Sequence, residues 1–346
     1  MPTFHHALLL PLLLSLGLPA HAEELVFASW GGAYQEAIRK AWITPFSEQT
    51  GITVLEDTSP ETAKIKAMVD TDTVVWDVVT GGGASLMRGV NAGLFVPITE
   101  EMVPQDHVYP DARNDHGVPS EIFSTVLAFS RDAFPDGGPQ PQTWADFWDV
   151  AQFPGKRTLY DRPNTVLEAA LLADGVPMAE IYTVLATPEG QDRAFAKLAE
   201  IKPHVAVWWS SGAQPVQALG SGEVVMALGW NGRFEAGIDE GLPLTMRWDG
   251  AIAQVGYFMI VKGAPNLDNA VKFLNYMVSP EAQARFHEYV AYGPVTEAAW
   301  ENIPDEQRPR LPSSPRNLET SVFLDIEFWA EHDAELMERY QAFLQE

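Results

Sequence analysis

Glycine and aromatic residues stand together just after apolar runs in this sequence. Residues 29–34 read Ser-Trp-Gly-Gly-Ala-Tyr, so Trp30 and Tyr34 flank two glycines. Residues 81–83, which include Gly82, are three glycines after another apolar run. Glycine lets a backbone approach a ligand closely, and a helix that starts there directs free N–H groups outward. The pattern predicts that Trp30, Tyr34 and Gly82 contact a bound ligand.

The second half of the chain carries a similar set, with a cation in it. Asp161 and Arg162 follow a predicted strand, and Pro163 restricts Arg162 to an extended backbone. A guanidinium in a desolvated cleft binds a carboxylate through two parallel hydrogen bonds. Trp208 and Trp209 point to opposite faces of a strand, so which of them faces the cleft stays open. The further candidates for ligand contact are Trp209, Ser211, Trp230, Asn231, Gln254 and Tyr292.

Familiar catalytic and metal-binding motifs are missing from the sequence. The histidines after residue 22 are scattered, and no His-Glu-x-x-His, Gly-x-Ser-x-Gly or Walker motif occurs. We therefore expect no catalytic residue, no metal and no cofactor. The 47 aspartates and glutamates leave a carboxylate pair open, so a secreted α/β enzyme is the alternative class.

Alternating apolar runs and amphipathic segments position these residues. This β-α rhythm predicts an α/β fold of two doubly wound lobes, and the length of the chain suits two domains. Ligands of such sheets bind beyond the carboxyl ends of the strands, so the cleft between the lobes is the expected site. Strands are predicted at 25–29, 52–56, 74–79, 158–161, 205–209 and 224–230, and helices at 61–69, 144–150, 166–173, 267–278 and 281–289.

Residues 1–22 read as a secretory signal peptide. The apolar run 8–16 is too short to span a bilayer, and residues 20–22, Ala-His-Ala, match a signal-peptidase site. His5 and His6 stand where Lys or Arg is usual. We expect the mature protein to begin near Glu23 and to act outside the cytoplasm. Its net charge of −25 argues against nucleic acid and anionic membranes as partners.

Five segments in order along the chain resemble the solute-binding proteins of ABC importers, specifically the spermidine/putrescine-binding group. They are residues 29–34, 76–79, 222–224, 230–232 and 292–296. The resemblance implies two α/β lobes joined by strand crossovers near 122–130 and 252–261, which close on one ligand by a hinge motion. It also implies a periplasmic, monomeric protein that delivers a small solute to a membrane permease.

The resemblance further implies the domain boundaries. Lobe 1 comprises residues 23–125 and 253–296. Lobe 2 comprises residues 126–252 and 297–346, because the C-terminal tail returns to the second lobe.

The resemblance to polyamine binders does not extend to their acidic positions. Where polyamine binders hold ammonium groups with acidic residues, this sequence has Arg162, Thr165 and Gly256. The aromatic positions match better, at Trp30, Tyr34, Trp230 and Tyr292, and an aromatic box suits an alkylammonium. Arg162 would repel a polyamine.

We therefore predict a ligand with both an amine and a carboxylate, such as 4-aminobutyrate (GABA) or a related amino acid. A polyamine is the alternative, with Asp161, Glu168 or Asp249 supplying the negative charge. An iron-binding protein ranks third, because such sites favour adjacent tyrosines and this sequence has no Tyr-Tyr pair.

Overall fold

A computed structural model of the protein describes residues 23–346. The predicted signal peptide, residues 1–22, lies outside the described residues. No helix within residues 23–346 combines the length and the apolar character that a membrane span requires.

The described strands form one mixed sheet in the order β2-β1-β3-β8-β4-β7-β5-β6, with β9 paired to β8. The sheet has two parallel halves: β1 pairs with β2 and β3, and β5 pairs with β6 and β7. The strand bounds are β1 Glu24–Ser29, β2 Thr53–Thr58, β3 Val78–Gly82, β4 Val118–Ser130, β5 Arg157–Tyr160, β6 Val205–Trp209, β7 Met226–Trp230, β8 Leu244–Ile260 and β9 Ser321–Phe323.

Helices cover both halves of the sheet. A π-helical turn, Arg39–Ile43, joins α1 to α2 without a break, and Pro45 lies in the first turn of α2. The helix bounds are α1 Gly32–Ile38, α2 Thr44–Thr50, α3 Thr62–Asp70, α4 Gly83–Asn91, α5 Trp144–Trp148, α6 Val166–Ala173, α7 Ile181–Leu185, α8 Pro188–Ile201, α9 Gln214–Gly220, α10 Asn231–Asp239, α11 Leu267–Met277, α12 Pro280–Phe286, α13 Pro315–Glu319 and α14 Ile326–Gln345.

Two long antiparallel strands connect the halves. β4 has 13 residues and β8 has 17, and the two pair with each other along most of their length. The predicted crossovers at 122–130 and 252–261 fall within β4 and at the end of β8. The prediction of two α/β lobes joined by crossover strands is therefore confirmed.

The buried apolar residues separate into clusters on the two sides of this junction. One cluster includes Phe27, Trp42 and Phe258, whose rings pack around β1 and β8. Another includes Trp209 and Trp329, and α14 contributes Leu336 and Tyr340 to it. Each half of the sheet thus has its own core, as a hinged protein needs.

The third strand lies further along the chain than predicted. It spans Val78–Gly82, and residues 74–76 precede it without regular structure. Val75 is 57% exposed, and the indole of Trp76 donates to Asp57 Oδ2 at 2.7 Å. Gly81 and Gly82 therefore end the strand, and Gly83 alone begins helix α4.

Candidate functional site

One face of the two crossing strands forms the floor of a cleft between the halves. Alternate residues of a strand share a face, so Glu121 and Phe123 on β4 point the same way. Opposite them in the register stand Gly256 and Gln254 on β8. The Gln254 amide donates to Thr125 Oγ1 at 3.0 Å, which fixes the predicted site residue Gln254 on this floor.

Aromatic rings form a continuous band across the floor from one lobe to the other. We use the name aromatic band for Tyr34, Tyr292, Phe123, Trp230 and Tyr160. Successive ring centroids lie 6.5, 5.6, 6.4 and 6.2 Å apart. Three of these rings, Tyr34, Trp230 and Tyr292, are sequence-predicted site residues. The band gives a cationic or apolar ligand several ring faces and edges to contact.

Two other predicted residues, Trp209 and Asn231, support the band from behind. Trp209 is fully buried, stacks on Tyr160 at 4.1 Å and donates its indole N–H to the carbonyl oxygen of Leu228. Asn231 is also fully buried, accepts from the Ser124 N–H and donates to the Ala291 carbonyl. Both therefore position residues of the cleft instead of lining it. The neighbouring Trp208 packs edge-on against Tyr340.

The wall on the first lobe begins at the end of β1. Trp30 is 49% exposed there, and Gly31 and Gly32 have φ values of 74° and 62°, which favour glycine. Gly82 ends β3 and pairs with Gly256, so two adjacent strands carry no side chain at this point. These positions leave open backbone beside the floor, as the glycine pattern predicts.

The predicted cation Arg162 lines a cavity of about 260 Å³ that we name the Arg162 cavity. Both lobes contribute to it, since Ala84 of α4 faces Tyr160 and Asn164 of the second lobe across it. Within residues 23–346 no carboxylate oxygen lies within 4 Å of the Arg162 guanidinium, whereas Arg88 pairs with Asp333 at 4.0 Å. Arg88 and Asp333 also line the cavity, and Arg162 is the cation there that the described side chains leave without an ion pair.

The loop that carries Arg162 is tightly held. Asp161 donates its backbone N–H to the carbonyl oxygen of Trp209, and burial raises the pKa of its side chain while Arg162 opposes that shift. Thr165 sits at φ 68°, an unusual value for a residue other than glycine, just before α6. Ser211 is exposed at the start of α9, where Gln214 accepts its backbone N–H.

The acidic groups considered for a polyamine are placed differently from one another. Glu168 is buried and accepts from Tyr182 Oη at 2.9 Å and from Trp329 Nε1 at 2.7 Å. Asp249 is exposed on β8, and its charge acts on Arg247. Asp161 adjoins Arg162 in the chain but is not among the residues that line the Arg162 cavity.

A larger cavity of about 470 Å³ lies at the other end of the aromatic band, and we name it the Tyr292 cavity. Its wall is charged: Arg310 pairs with Glu235 Oε2 and with Asp239 Oδ1 at 2.7 Å. Arg233 and Glu288 also line this cavity, and neither has an ion pair within residues 23–346, so the Tyr292 cavity holds unpaired charge of both signs as well.

Glu121 is a functional candidate that the sequence reasoning missed. Its carboxyl accepts from Tyr34 Oη at 2.6 Å and is only 3% exposed. Burial raises its pKa to about 7, and the neighbouring hydroxyls of Ser120 and Tyr34 oppose that shift, although only Tyr34 is within hydrogen-bonding geometry. The alternation of Glu121, Phe123 and Thr125 just before the predicted crossover was the available signal, since it places all three on one face.

Metal ligation finds no support within residues 23–346, where no group of three His, Cys, Asp or Glu side chains is placed to hold a metal ion. The arrangement is instead that of a binding cleft: a polar and aromatic floor, a cation at one end and a hinge of two strands beneath it.

The family model described as bacterial extracellular solute-binding protein matches residues 41–311, most of the chain. The chain belongs to this family. The predicted function class, an extracytoplasmic solute-binding component of an ABC transporter, is thereby confirmed.

Two curated relatives of this solute-binding protein bind small amines according to their names. The gamma-aminobutyric acid-binding protein of Pseudomonas aeruginosa is 40% identical over 327 residues, covering 94% of this chain and 92% of the relative. The spermidine/putrescine-binding periplasmic protein of Escherichia coli is 26% identical over 299 residues, covering 81% of this chain and 80% of the relative.

Solved structures of similar proteins have the same architecture. An ABC transporter substrate-binding protein from Bradyrhizobium japonicum aligns with a TM-score of 0.87 and 39% identity, covering 93% of this solute-binding protein and 100% of that chain. A GABA receptor structure aligns with a TM-score of 0.83 and 35% identity, covering 93% and 98% of the two chains.

Proposed function

We propose that this solute-binding protein captures GABA, or a closely related amino acid, in the cleft between its lobes. The observation that carries the proposal is Arg162, a cation without an ion pair among the described residues, in a cavity shared by both lobes at one end of the aromatic band. A carboxylate satisfies that guanidinium with two parallel hydrogen bonds, and a polyamine has no group that can. The 40% identity with a GABA-binding protein and the 35% identity with a GABA receptor structure support the same ligand.

Capture in this proposal is reversible and involves no chemistry on the ligand. The open lobes admit the solute, Arg162 holds its carboxylate, and Tyr160 and Trp230 contact its methylene groups. Closure by bending of β4 and β8 then removes the ligand from water. The closed form presents both lobes together to a membrane permease, so a permease distinguishes the loaded protein from the empty one.

The setting that we propose is the periplasm, where the protein acts as a monomer after removal of residues 1–22. The lobes have the boundaries predicted above, residues 23–125 with 253–296 and residues 126–252 with 297–346. The direct ligand contacts come from Trp30, Tyr34, Gly82 and the rest of the predicted set, with Trp209 and Asn231 acting through their neighbours.

Thermal unfolding with a panel of solutes tests this function. A solute at 100 times its dissociation constant adds about 2.7 kcal/mol of stability, which raises the melting temperature by roughly 2–4 °C. We expect GABA to produce this shift, and putrescine and spermidine to produce none. Mass spectrometry of the released solute should return GABA unchanged, because turnover would instead indicate the secreted-enzyme class.

A polyamine is the second candidate, supported by the 26% identity with a spermidine/putrescine-binding protein and by Asp333, an acidic residue that lines the Arg162 cavity. In the same panel, a shift with putrescine or spermidine and none with GABA would contradict the proposed ligand.

A further inference from the structure

We infer that Glu121 is the residue that binds the ammonium group of the ligand, a contact that rests on the proposed function and completes it. The cleft otherwise has a site for a carboxylate at Arg162, and it lacks an assigned anion for the amine. Ring-to-ring steps of 6.2, 6.4 and 5.6 Å separate Tyr160, beside Arg162, from Tyr292, beside Glu121, so one GABA molecule reaches both groups only after the lobes close. Glu121 stands on the floor of the cleft, on the same face of β4 as Phe123.

One oxygen of the Glu121 carboxyl lacks a hydrogen-bond donor. Oε1 accepts from Tyr34 Oη, whereas Oε2 is buried and has no hydrogen-bond partner among the described residues. A buried carboxylate oxygen without a donor is unfavourable, so native proteins rarely leave one. An ammonium group can donate up to three hydrogen bonds and would satisfy Oε2.

The Glu121 carboxyl occupies space that a glycine in the neighbouring strand leaves free. A Cβ added at Gly256, which pairs with Glu121 across the β4–β8 ladder, would lie 2.2 Å from Glu121 Oε1 and 2.9 Å from Oε2. The carboxyl therefore fills the position that a side chain on β8 would otherwise take. Gly82, next to Gly256 on β3, extends this opening toward the wall of the first lobe.

The surroundings of the Glu121 carboxylate suit a cation, and no cationic side chain among the described residues contacts it. Tyr34 and Tyr292 flank the carboxyl, and the two rings are 6.5 Å apart. In residues 23–346 no Lys, Arg or His nitrogen lies within 4 Å of the Glu121 carboxylate. The titratable and charged groups that line the Tyr292 cavity beside these rings include His287, Glu288 and Arg233 of α10, whose charge acts on the hydroxyl of Tyr292. Aromatic rings beside a carboxylate attract an alkylammonium through cation–π contacts and charge pairing.

Ammonium binding at Glu121 has a consequence that a structural role would not have. Burial raises the pKa of the free carboxyl to about 7, so the group is largely protonated below neutral pH. A bound ammonium favours the charged carboxylate and lowers that pKa. Binding must therefore release a proton near pH 6.5, and affinity must rise with pH through about 7. GABA itself keeps its charges there, because its amine and carboxyl titrate near 10 and 4.

Isothermal titration calorimetry with GABA in two buffers of different ionisation enthalpy measures this proton. We expect about half a proton or more released per GABA at pH 6.5, almost none at pH 8.5, and a Kd several-fold lower at pH 8 than at pH 6. In Tyr34→Phe the carboxyl loses a hydrogen-bond donor, which raises its pKa, so the midpoint of the affinity profile should move to higher pH. Glu121→Gln should raise the Kd at pH 8 at least about tenfold and abolish the proton release.

Each outcome of this experiment decides a separate point. If wild-type protein binds GABA without releasing a proton, and Glu121→Gln binds it as tightly, Glu121 is only a structural acceptor for Tyr34 and the inference fails alone. If the wild type binds no GABA, the proposed function fails and the inference fails with it. Butyrate, which lacks the amine, is the ligand control and should release no proton. The wild-type titrations decide the matter even if Glu121→Gln does not fold.

Discussion

Arg162 is a candidate binding residue because its guanidinium has no ion pair among the described side chains. Its guanidinium lines a small cavity shared by both lobes, and the described carboxylates leave it without an ion pair. Such a group is free to bind a ligand, whereas the paired Arg310 in the Tyr292 cavity is already occupied by Glu235 and Asp239.

Replacing Arg162 should therefore affect binding far more than folding. We expect Arg162→Ala to weaken GABA binding by roughly 2–5 kcal/mol, about 30-fold or more in Kd, with an unchanged melting temperature of the empty protein. The Kd of Arg162→Lys for GABA should lie between the values of the wild type and of Arg162→Ala, because an ammonium keeps the charge but lacks the planar guanidinium that binds both carboxylate oxygens. Calorimetric titration with GABA measures both values.

The control for this series is Arg193→Ala. Arg193 is an exposed arginine of α8 that pairs with Asp174, remote from both cavities in its contacts. Its loss should leave the Kd unchanged. An Arg162→Ala protein that binds GABA as tightly as the wild type would place Arg162 outside the site.

At the scale of the elements, the close contact between α10 and the segment before Gly293 joins the two lobes. Gly232 lies in the first turn of α10, and a Cβ added there would come within 2.6 Å of Tyr292 Cε1. The glycine thus lets the N-terminal turn of α10 approach the aromatic band.

Gly232→Ala should push Tyr292 out of the band and reduce affinity. Overpacking of this kind is destabilising by about 1–3 kcal/mol, so we also expect a melting temperature lower by several degrees. Gly138→Ala is the matched control, since a Cβ there would lie 3.5 Å from the Pro135 carbonyl oxygen, an ordinary contact. Equal Kd and melting temperature in both variants would show that the α10 contact does not position Tyr292.

The elements themselves were largely predictable from the sequence, because apolar periodicity and glycine stops are local signals. Helix α6 and strand β6 have the predicted bounds, Val166–Ala173 and Val205–Trp209. The third strand was misplaced because the apolar segment before Asp77 is irregular, and the indole of Trp76 there bonds to the Asp57 side chain. No local pattern encodes such distant partners.

Three rings of the aromatic band and the cation Arg162 were predicted from the sequence. The rings of Phe123 and Tyr160 and the residues that support the band were not. Trp230 and Tyr292 were found because they stand beside glycines at element ends. Trp209 and Trp208 could not be told apart, since strand alternation gives the face of each residue and not which face is covered. Glu121 was missed because its meaning depends on Gly256 in a strand that is more than 100 residues away in the sequence.

At the scale of the whole molecule, two buried carboxyls link stability to pH. Burial raises the pKa of both Glu121 and Glu168 from 4.5 to about 7. Both carboxyls therefore keep their protons in the folded protein at pH values where the unfolded chain has lost them. Their contribution to the free energy of unfolding is fully present below about pH 4.5 and is lost as the pH rises through 7.

The double variant Glu121→Gln/Glu168→Gln should lack this pH dependence. Urea unfolding of the empty protein at pH 5 and pH 7.5 measures it, and the wild type should lose up to roughly 3 kcal/mol per carboxyl more than the double variant over that interval. Identical changes in wild type and variant would mean that neither carboxyl is protonated in the folded protein.

The central claim is that one molecule of an unreacted amino acid joins the two lobes, with its carboxylate on Arg162. A crystal structure of the protein with GABA tests this most directly. We predict a closed form in which both carboxylate oxygens lie about 3 Å from the Arg162 guanidinium nitrogens and the amine lies toward Glu121. GABA bound outside the cleft, or bound with its amine beside Arg162, would contradict the account.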